Sequence, residues 1–322
     1  MPYLVGTDEA GYGPNLGPLV ISATVWRVES INDTDLFSKL RGPVRTVRDE
    51  HKDEDDIVIG DSKGLYKPGQ GLAGLEQGVF TFLAAVNKRP RTWKRIWRLL
   101  AREDSACLSE LPWYRNFDDK LPVDLCPNGI RRRTERLQMR CEMARCVPMH
   151  IVSRVVFPQH FNELVAEHGN KASALSQKTL GLVRDVLGTL PSDEPTYVLC
   201  DKHGGRNKYG PLLNQFFPDS LAVVRREGRE ESGYQLGNGR NRREIVFRAK
   251  ADEVFLPSAL ASMVSKYLRE LAMRAFNEFW TSQVDGLKPT AGYPADAKRF
   301  KRQIEPLQKE LGIDDHALWR CR

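Results

Sequence analysis

Two adjacent carboxylates, Asp8 and Glu9, follow directly on the apolar run Tyr3-Leu4-Val5. That run reads as a buried strand. A glycine-rich turn comes next, Gly11-Tyr12-Gly13-Pro14, followed by a second apolar run over residues 19–25. Strand, acidic pair, tight turn and strand describe a hairpin that presents charge where apolar side chains would otherwise be buried. An unpaired carboxylate in such a place is costly, so the pair calls for a compensating positive charge. A divalent metal ion is the economical answer. Two further acids stand at element boundaries. Asp201 ends the strand-like run 195–200, and Asp252 lies at the junction between a strand over 244–247 and a long helix. Loops and element ends of this kind are where active sites are commonly assembled.

The elements that must position these acids can be read in outline. After the hairpin, the mixed-charge run 49–56 reads as a solvated loop. Residues 57–60 lead as a short strand into Asp61-Ser62-Lys63, and residues 75–86 have helical spacing. Residues 87–146 differ in character, opening on a Lys/Arg/Trp-rich stretch and closing near Arg131-Arg132-Arg133, and read as a basic insertion. The scaffold resumes with a strand over 149–153. Residues 159–190 are helical, with Leu175, Thr179, Leu182 and Val186 along one face. The charged, glycine-containing stretch 225–243 reads as a mobile loop or extended hairpin. Pro257-Ser258 starts the longest helix, which runs to about Trp280, and a last helical stretch spans 298–311. Strands and helices alternate around a mixed sheet, an α/β or α+β arrangement.

The 322 residues include 41% hydrophobic and 28% charged side chains, ordinary for a globular protein with a sizeable core. No apolar run approaches the length of a membrane span and no charged-then-apolar leader opens the sequence, so a cytoplasmic protein with no membrane partner is expected. The six cysteines include no Cys-x-x-Cys pair, which argues for reduced structural thiols over a zinc site or disulfide frame. A net charge of +7 favours a polyanionic partner, but only in company with a site.

The residues together resemble the type 2 ribonucleases H, the HII/HIII group. Gly6-Thr7-Asp8-Glu9-Ala10-Gly11-Tyr12-Gly13-Pro14 with Gly17-Pro18 is similar to that family's opening signature, and Asp61-Ser62-Lys63 to its Asp-Ser-Lys segment. Asn170 and the helix behind it, then Asp201 at a strand end, resemble the approach to the third acid. Lys250-Ala251-Asp252 followed by Ser258, Ser262 and Lys266 resembles the segment of the fourth, and Gly292-Tyr293-Pro294 the C-terminal Gly-Tyr motif of archaeal and eukaryotic members. Any one of these is weak alone; their ordered set runs from end to end of the chain. The resemblance implies an RNase H-like α/β fold, a mixed sheet flanked by helices. It implies a catalytic domain over 1–283, carrying the basic insertion 87–146, and a substrate-contacting helical extension over 284–322.

The activity so implied is endonucleolytic cleavage of RNA in RNA–DNA hybrids, leaving 3′-hydroxyl and 5′-phosphate ends, by a monomer. Asp8, Glu9, Asp201 and Asp252 are then the catalytic ligands of two Mg²⁺ or Mn²⁺ ions about 4 Å apart, which prefer oxygen donors and relieve the repulsion among the acids. Gly11, Tyr12 and Gly13 are the candidates for approaching the ribose, Tyr293 for packing on the neighbouring deoxyribose, and Lys63 and Lys266 for phosphate contact or carboxylate orientation. One departure bears on substrate: HII enzymes usually carry Gly-Arg-Gly where this chain has Gly11-Tyr12-Gly13, and a phenol supplies neither the charge nor the donor fork of a guanidinium. Ribonucleotides embedded in duplex DNA therefore stay open as a second substrate. A same-fold nuclease with altered substrate and a non-catalytic nucleic-acid-binding protein are the alternatives.

Blander readings stand beside these. Trp93, Ile96, Trp97 and Leu100 share a helical face and are read as anchoring the insertion to the core, with the arginines left to meet phosphate. His203 reads as a loop residue, and Asp296 as the N-cap of the last helix or a further acid at the site.

Overall fold

The computed structural model describes residues 1–49, 53–67 and 69–321, and the side chain of Lys63 lies outside the described residues. The strands are β1 (Tyr3–Ala10), β2 (Leu19–Val28), β3 (Val44–Thr46), β4 (Ile57–Ile59), β5 (Cys146–Val156), β6 (Thr196–Asp201), β7 (Val223–Glu227), β8 (Glu231–Leu236) and β9 (Arg243–Arg248). Between β2 and β5 the chain forms α1 (Leu36–Lys39), α2 (Ser62–Leu65), α3 (Ala73–Ala85), α4 (Trp93–Leu100), α5 (Pro112–Arg115) and α6 (Asn128–Met143). Then follow α7 (Pro158–His168), α8 (Lys171–Gly188), α9 (Gly210–Phe216), α10 (Ala251–Val254), α11 (Leu256–Thr281), α12 (Pro294–Glu310) and α13 (Asp315–Leu318).

Seven strands form one mixed sheet in the order β5-β2-β1-β6-β9-β8-β7, and β3 and β4 pair separately. The hairpin β1–β2 is antiparallel as expected, whereas β6 runs parallel to β1 and β9 parallel to β6. Parallel neighbours bring the C-terminal ends of β1, β6 and β9 to one edge, which is where the acids lie. The charged stretch 225–243 forms the hairpin alternative: most of it is β7, β8 and a short turn, and β8 is an interior strand paired to β9. Ser232 to Leu236 are all buried, so both faces of β8 are covered, a feature masked in sequence by the flanking arginines and glutamates.

Helices cover both faces. Alternation along β1 sends Leu4 into a core with α3, α4 and α11, and sends Tyr3 and Val5 into a second core with α7 and α8. α7 and α8 replace the single helical stretch expected over 159–190, because Gly169 adopts φ +81° and ends α7. Asn170 then caps α8, its Oδ1 accepting from Ser173 N at 2.9 Å. The long helix α11 lies directly against β1. A Cβ on Gly6 would stand 2.6 Å from Pro257 Cβ and nearer still to the backbone, so only glycine permits this approach.

The tryptophans of the insertion are anchors, as the helical face implies. Trp93 and Trp97 are buried, and Trp93 Nε1 donates to Leu271 O of α11 at 3.0 Å. The acidic run before it is less solvated than expected in its described part. Asp56 is fully buried between Arg45 (3.2 Å) and Arg136 of α6 (3.7 Å), Arg132 pairs with Asp55, and Arg133 donates to Glu54 O at 2.6 Å. Much of the basic charge near 131–136 is thus engaged by this loop. Ala297, Phe300 and Ile304 of α12 join the core of α11. Asp296 lies in the first turn of α12, whose cap is Tyr293, and accepts from Thr290 Oγ1 and Arg299. No helix among the described residues is long and apolar enough to cross a membrane.

Candidate metal centre and the turn beside it

Register places the acids together. Thr7 of β1 pairs with Cys200 of β6, so Asp8 and Glu9 emerge beside Asp201 at the ends of parallel strands. Carboxylate oxygens of Asp8, Glu9 and Asp201 all lie within 4.8 Å of one another. Asp252 stands just beyond β9, in the first turn of α10, outside that triple. It is linked to it nonetheless: Ala251 N donates to Asp201 Oδ1 at 3.2 Å.

Asp8 is 8% exposed, and its carboxyl is held well above the ordinary aspartate range, first by burial and then by the charges of Glu9, Asp201 and Asp252. A hydrogen bond from Ser262 works in the opposite direction. Such a set of hard oxygen donors, like-charged, with Asp8 buried and Glu9 and Asp201 half-buried, suits a hard divalent cation. Among the described residues no cation forms an ion pair with Asp8.

α11 holds the cluster from behind through three hydroxyls at helical spacing. Ser258 Oγ donates to Leu199 O (3.0 Å), Ser262 reaches both Asp8 and Ser62 Oγ (3.4 Å), and Ser265 Oγ donates to Asp8 O (3.0 Å) and lies in hydrogen-bond contact with Ser22 Oγ (2.8 Å). Ser258 and Ser262 were legible within the family-like segment; Ser265 and Ser22 were not, although the spacing of 258, 262 and 265 marks one helical face. Ser62 brings the Asp61-Ser62-Lys63 segment to the rim of the site, while the Lys63 side chain lies outside the described residues.

The other expected residues divide. Gly11 adopts φ +92° and turns the chain out of β1; Tyr12 is partly buried, and Gly13 is exposed. Burial and the Glu9 charge both raise the Tyr12 phenol above its usual range. Tyr293 is 56% exposed and its ring stands 3.8 Å from where a Gly13 Cβ would be, so an open aromatic face adjoins the turn. Gly292 O holds it there by accepting from Asn15 N at 2.7 Å. Lys266 forms an ion pair with Glu270 (2.5 Å) and lies 4.5 Å from the centre of the Tyr66 ring, on the next turn of α11 after Ser262. His203 is buried against Phe247 and Tyr209, with Nδ1 3.0 Å from Ser176 Oγ. Burial, reinforced by Arg206, lowers its pKa to about 3, leaving it a neutral packing residue.

Two functional candidates escaped sequence reading altogether, Arg269 of α11 and Arg320 beyond α13. Both guanidiniums are buried beneath the loop 11–18: Arg320 donates to Gly11 O and Pro14 O, and Arg269 to Leu16 O, Pro18 O and Ala291 O. No local pattern announces them, because their partners lie far away in sequence.

No protein-family model matches this chain, and no curated protein sequence matches it. Among solved structures it is similar to an RNase HII from Archaeoglobus fulgidus described in complex with PCNA, with 16% identity, a TM-score of 0.44, and coverage of 99% of this chain and 94% of that one. It is also similar to the ribonuclease H2 of Pyrococcus horikoshii OT3, with 15% identity, a TM-score of 0.40, and coverage of 98% and 92%. A third is Bst-RNase HIII in complex with Mn²⁺, with 12% identity, a TM-score of 0.40, and coverage of 99% and 65%. At these identities and TM-scores, the ordered motifs and the carboxylate geometry of this chain carry any functional reading.

Proposed function

We propose that the protein is a divalent-metal-dependent endonuclease that cuts the RNA strand of RNA–DNA hybrids. One observation carries this reading: carboxylate oxygens of Asp8, Glu9 and Asp201 gather within 4.8 Å at the ends of adjacent strands, in the motif order of type 2 ribonucleases H. Asp8, Glu9, Asp201 and Asp252 would hold two cations, Mg²⁺ or Mn²⁺. Bound there, such ions would supply a water of lowered pKa and charge stabilisation for an in-line displacement at phosphorus. The protein's part is to fix the donors. Ser262 and Ser265 hold Asp8 against α11, and the β6–α10 hydrogen bond holds Asp201 beside the segment of Asp252.

The turn 11–13 reads the ribose, since the 2′-hydroxyl is what distinguishes a ribonucleotide within a duplex. Tyr293 offers its exposed ring to the adjoining sugar. Lys63, Lys266 and the exposed arginines 91, 95 and 98 supply phosphate contacts, with residues 284–322 acting as the substrate-contacting extension of a 1–283 catalytic domain.

Cleavage of two labelled duplexes in Mg²⁺ and in Mn²⁺ tests the proposal: an RNA–DNA hybrid, and duplex DNA carrying one ribonucleotide. Metal-dependent cutting of the hybrid with 5′-phosphate products is the expected result. Cutting of both shows that another group serves in place of an arginine at position 12. If neither is cut while the protein still binds them, it is a nucleic-acid-binding protein and the enzymatic reading fails.

A further inference from the structure

The buried guanidinium of Arg320 is unusual in what it touches. The side chain is fully buried, and its Nη2 donates to both Gly11 O and Pro14 O. Its Cζ lies 4.6 Å from the centre of the Phe161 ring. Among the described residues no carboxylate forms an ion pair with it and none offers Nε or Nη1 a hydrogen-bond partner. Burial and the nearby Arg269 cation both disfavour its charge. A residue serving only to fill space against Phe161 would be apolar, since a buried cation with idle nitrogens is destabilising.

The segment carrying it is tied down at both flanks. Arg320 N donates to Asn15 O (2.8 Å), and Asn15 Nδ2 returns a hydrogen bond to Arg320 O (2.9 Å). Asn162 of α7 grips the neighbours, donating to Trp319 O (2.8 Å) and accepting from Cys321 N (2.7 Å). Residues 319–321 therefore form a strap between α7 and the turn.

The peptide joining Gly11 to Tyr12 is planar and trans, so its C=O and N–H point in opposite directions. With Gly11 O drawn in toward Arg320, the Tyr12 N–H faces away from the buried guanidinium, and no described residue accepts from it. We propose that Arg320 is a positioning residue for ribose recognition: it fixes the Gly11–Tyr12 peptide so that the Tyr12 N–H meets the 2′-hydroxyl of the ribonucleotide at the scissile phosphate. This rests on the proposed function and assigns its substrate discrimination to a residue 308 positions from the turn it controls.

Arg320→Met keeps the packing on Phe161 and removes the donors; Arg320→Lys keeps charge and a donor. Two readouts are needed. Amide hydrogen exchange over residues 11–15 should accelerate in Arg320→Met while the strands β1 and β6 stay protected. In cleavage, the kcat/KM ratio between a hybrid and the same hybrid carrying one 2′-deoxynucleotide at the cut should fall about 10-fold in Arg320→Met and recover in Arg320→Lys. Should Arg320→Met not fold, Asn162→Ala loosens the strap without touching the turn and should lower the same ratio. If wild-type protein cuts no ribonucleotide substrate, the proposed function is what fails and this inference falls with it. If wild type discriminates and folded Arg320→Met discriminates equally, the positioning role alone is overturned.

Discussion

Asp8 and Asp56 are both buried aspartates in acid-rich surroundings, and the chain treats them in opposite ways. Asp56 has two arginines within 4 Å and accepts from Asp53 N at 2.9 Å, a closed arrangement in which the protein supplies its own cations. Among the described residues Asp8 has Glu9, Asp201 and Asp252 as its charged neighbours, and the Ser262 hydroxyl and the Glu9 N–H (2.8 Å) as the donors that favour its ionised form. A buried carboxylate matched by arginine is architecture. One surrounded by carboxylates is suited to cations drawn from solution, which is the reading proposed above.

The contrast can be broken by substitution. Asp8→Asn should reduce hybrid cleavage by roughly 10³-fold or more in the presence of Mg²⁺ or Mn²⁺, while Asp56→Asn should leave cleavage per folded molecule unchanged. The stability effects should run the other way. Asp56→Asn strands two arginine charges and should cost about 3 kcal/mol in urea unfolding. Asp8→Asn should stabilise the cation-free protein, and this effect should depend on pH. Because the Asp8 pKa is raised, the folded cation-free protein retains a proton that the unfolded chain has already released, so stability falls as pH rises above the ordinary aspartate range toward the raised value. The Asn variant should lose that slope in a pH series of melting curves. Divalent cation at about 100 times its Kd should restore about 2.7 kcal/mol to wild type at neutral pH, and nothing comparable to Asp8→Asn. Smallest of all, replacing exposed Arg95 and Arg98 by alanine should flatten the salt dependence of duplex affinity by about one unit of slope for each phosphate no longer neutralised; an unchanged slope makes the insertion a structural appendage.

Much of this was legible because the acids sit on local patterns. The strand before Asp8 and the run before Asp201 each declare themselves by apolar residues ending on a carboxylate, and parallel pairing does the rest. The tryptophans of α4 were legible as anchors for the same reason, a helical period. What escaped depends on partners remote in sequence. The neutralisation of Asp56 by Arg136, and the grip of Arg320 on Gly11, join residues 80 and 309 positions apart, which no window can contain. β8 was obscured differently: Ser232 to Leu236 are buried on both faces, so no polar–apolar alternation marks the strand, and charged residues flank it.

Calorimetric titration of Mn²⁺ into wild-type protein and into Asp201→Asn tests most directly whether the acid cluster is a cation site. Saturable binding to wild type, weakened at least 10-fold in a variant that remains folded, is the predicted result. Equal binding to both proteins, or none to wild type, would contradict it.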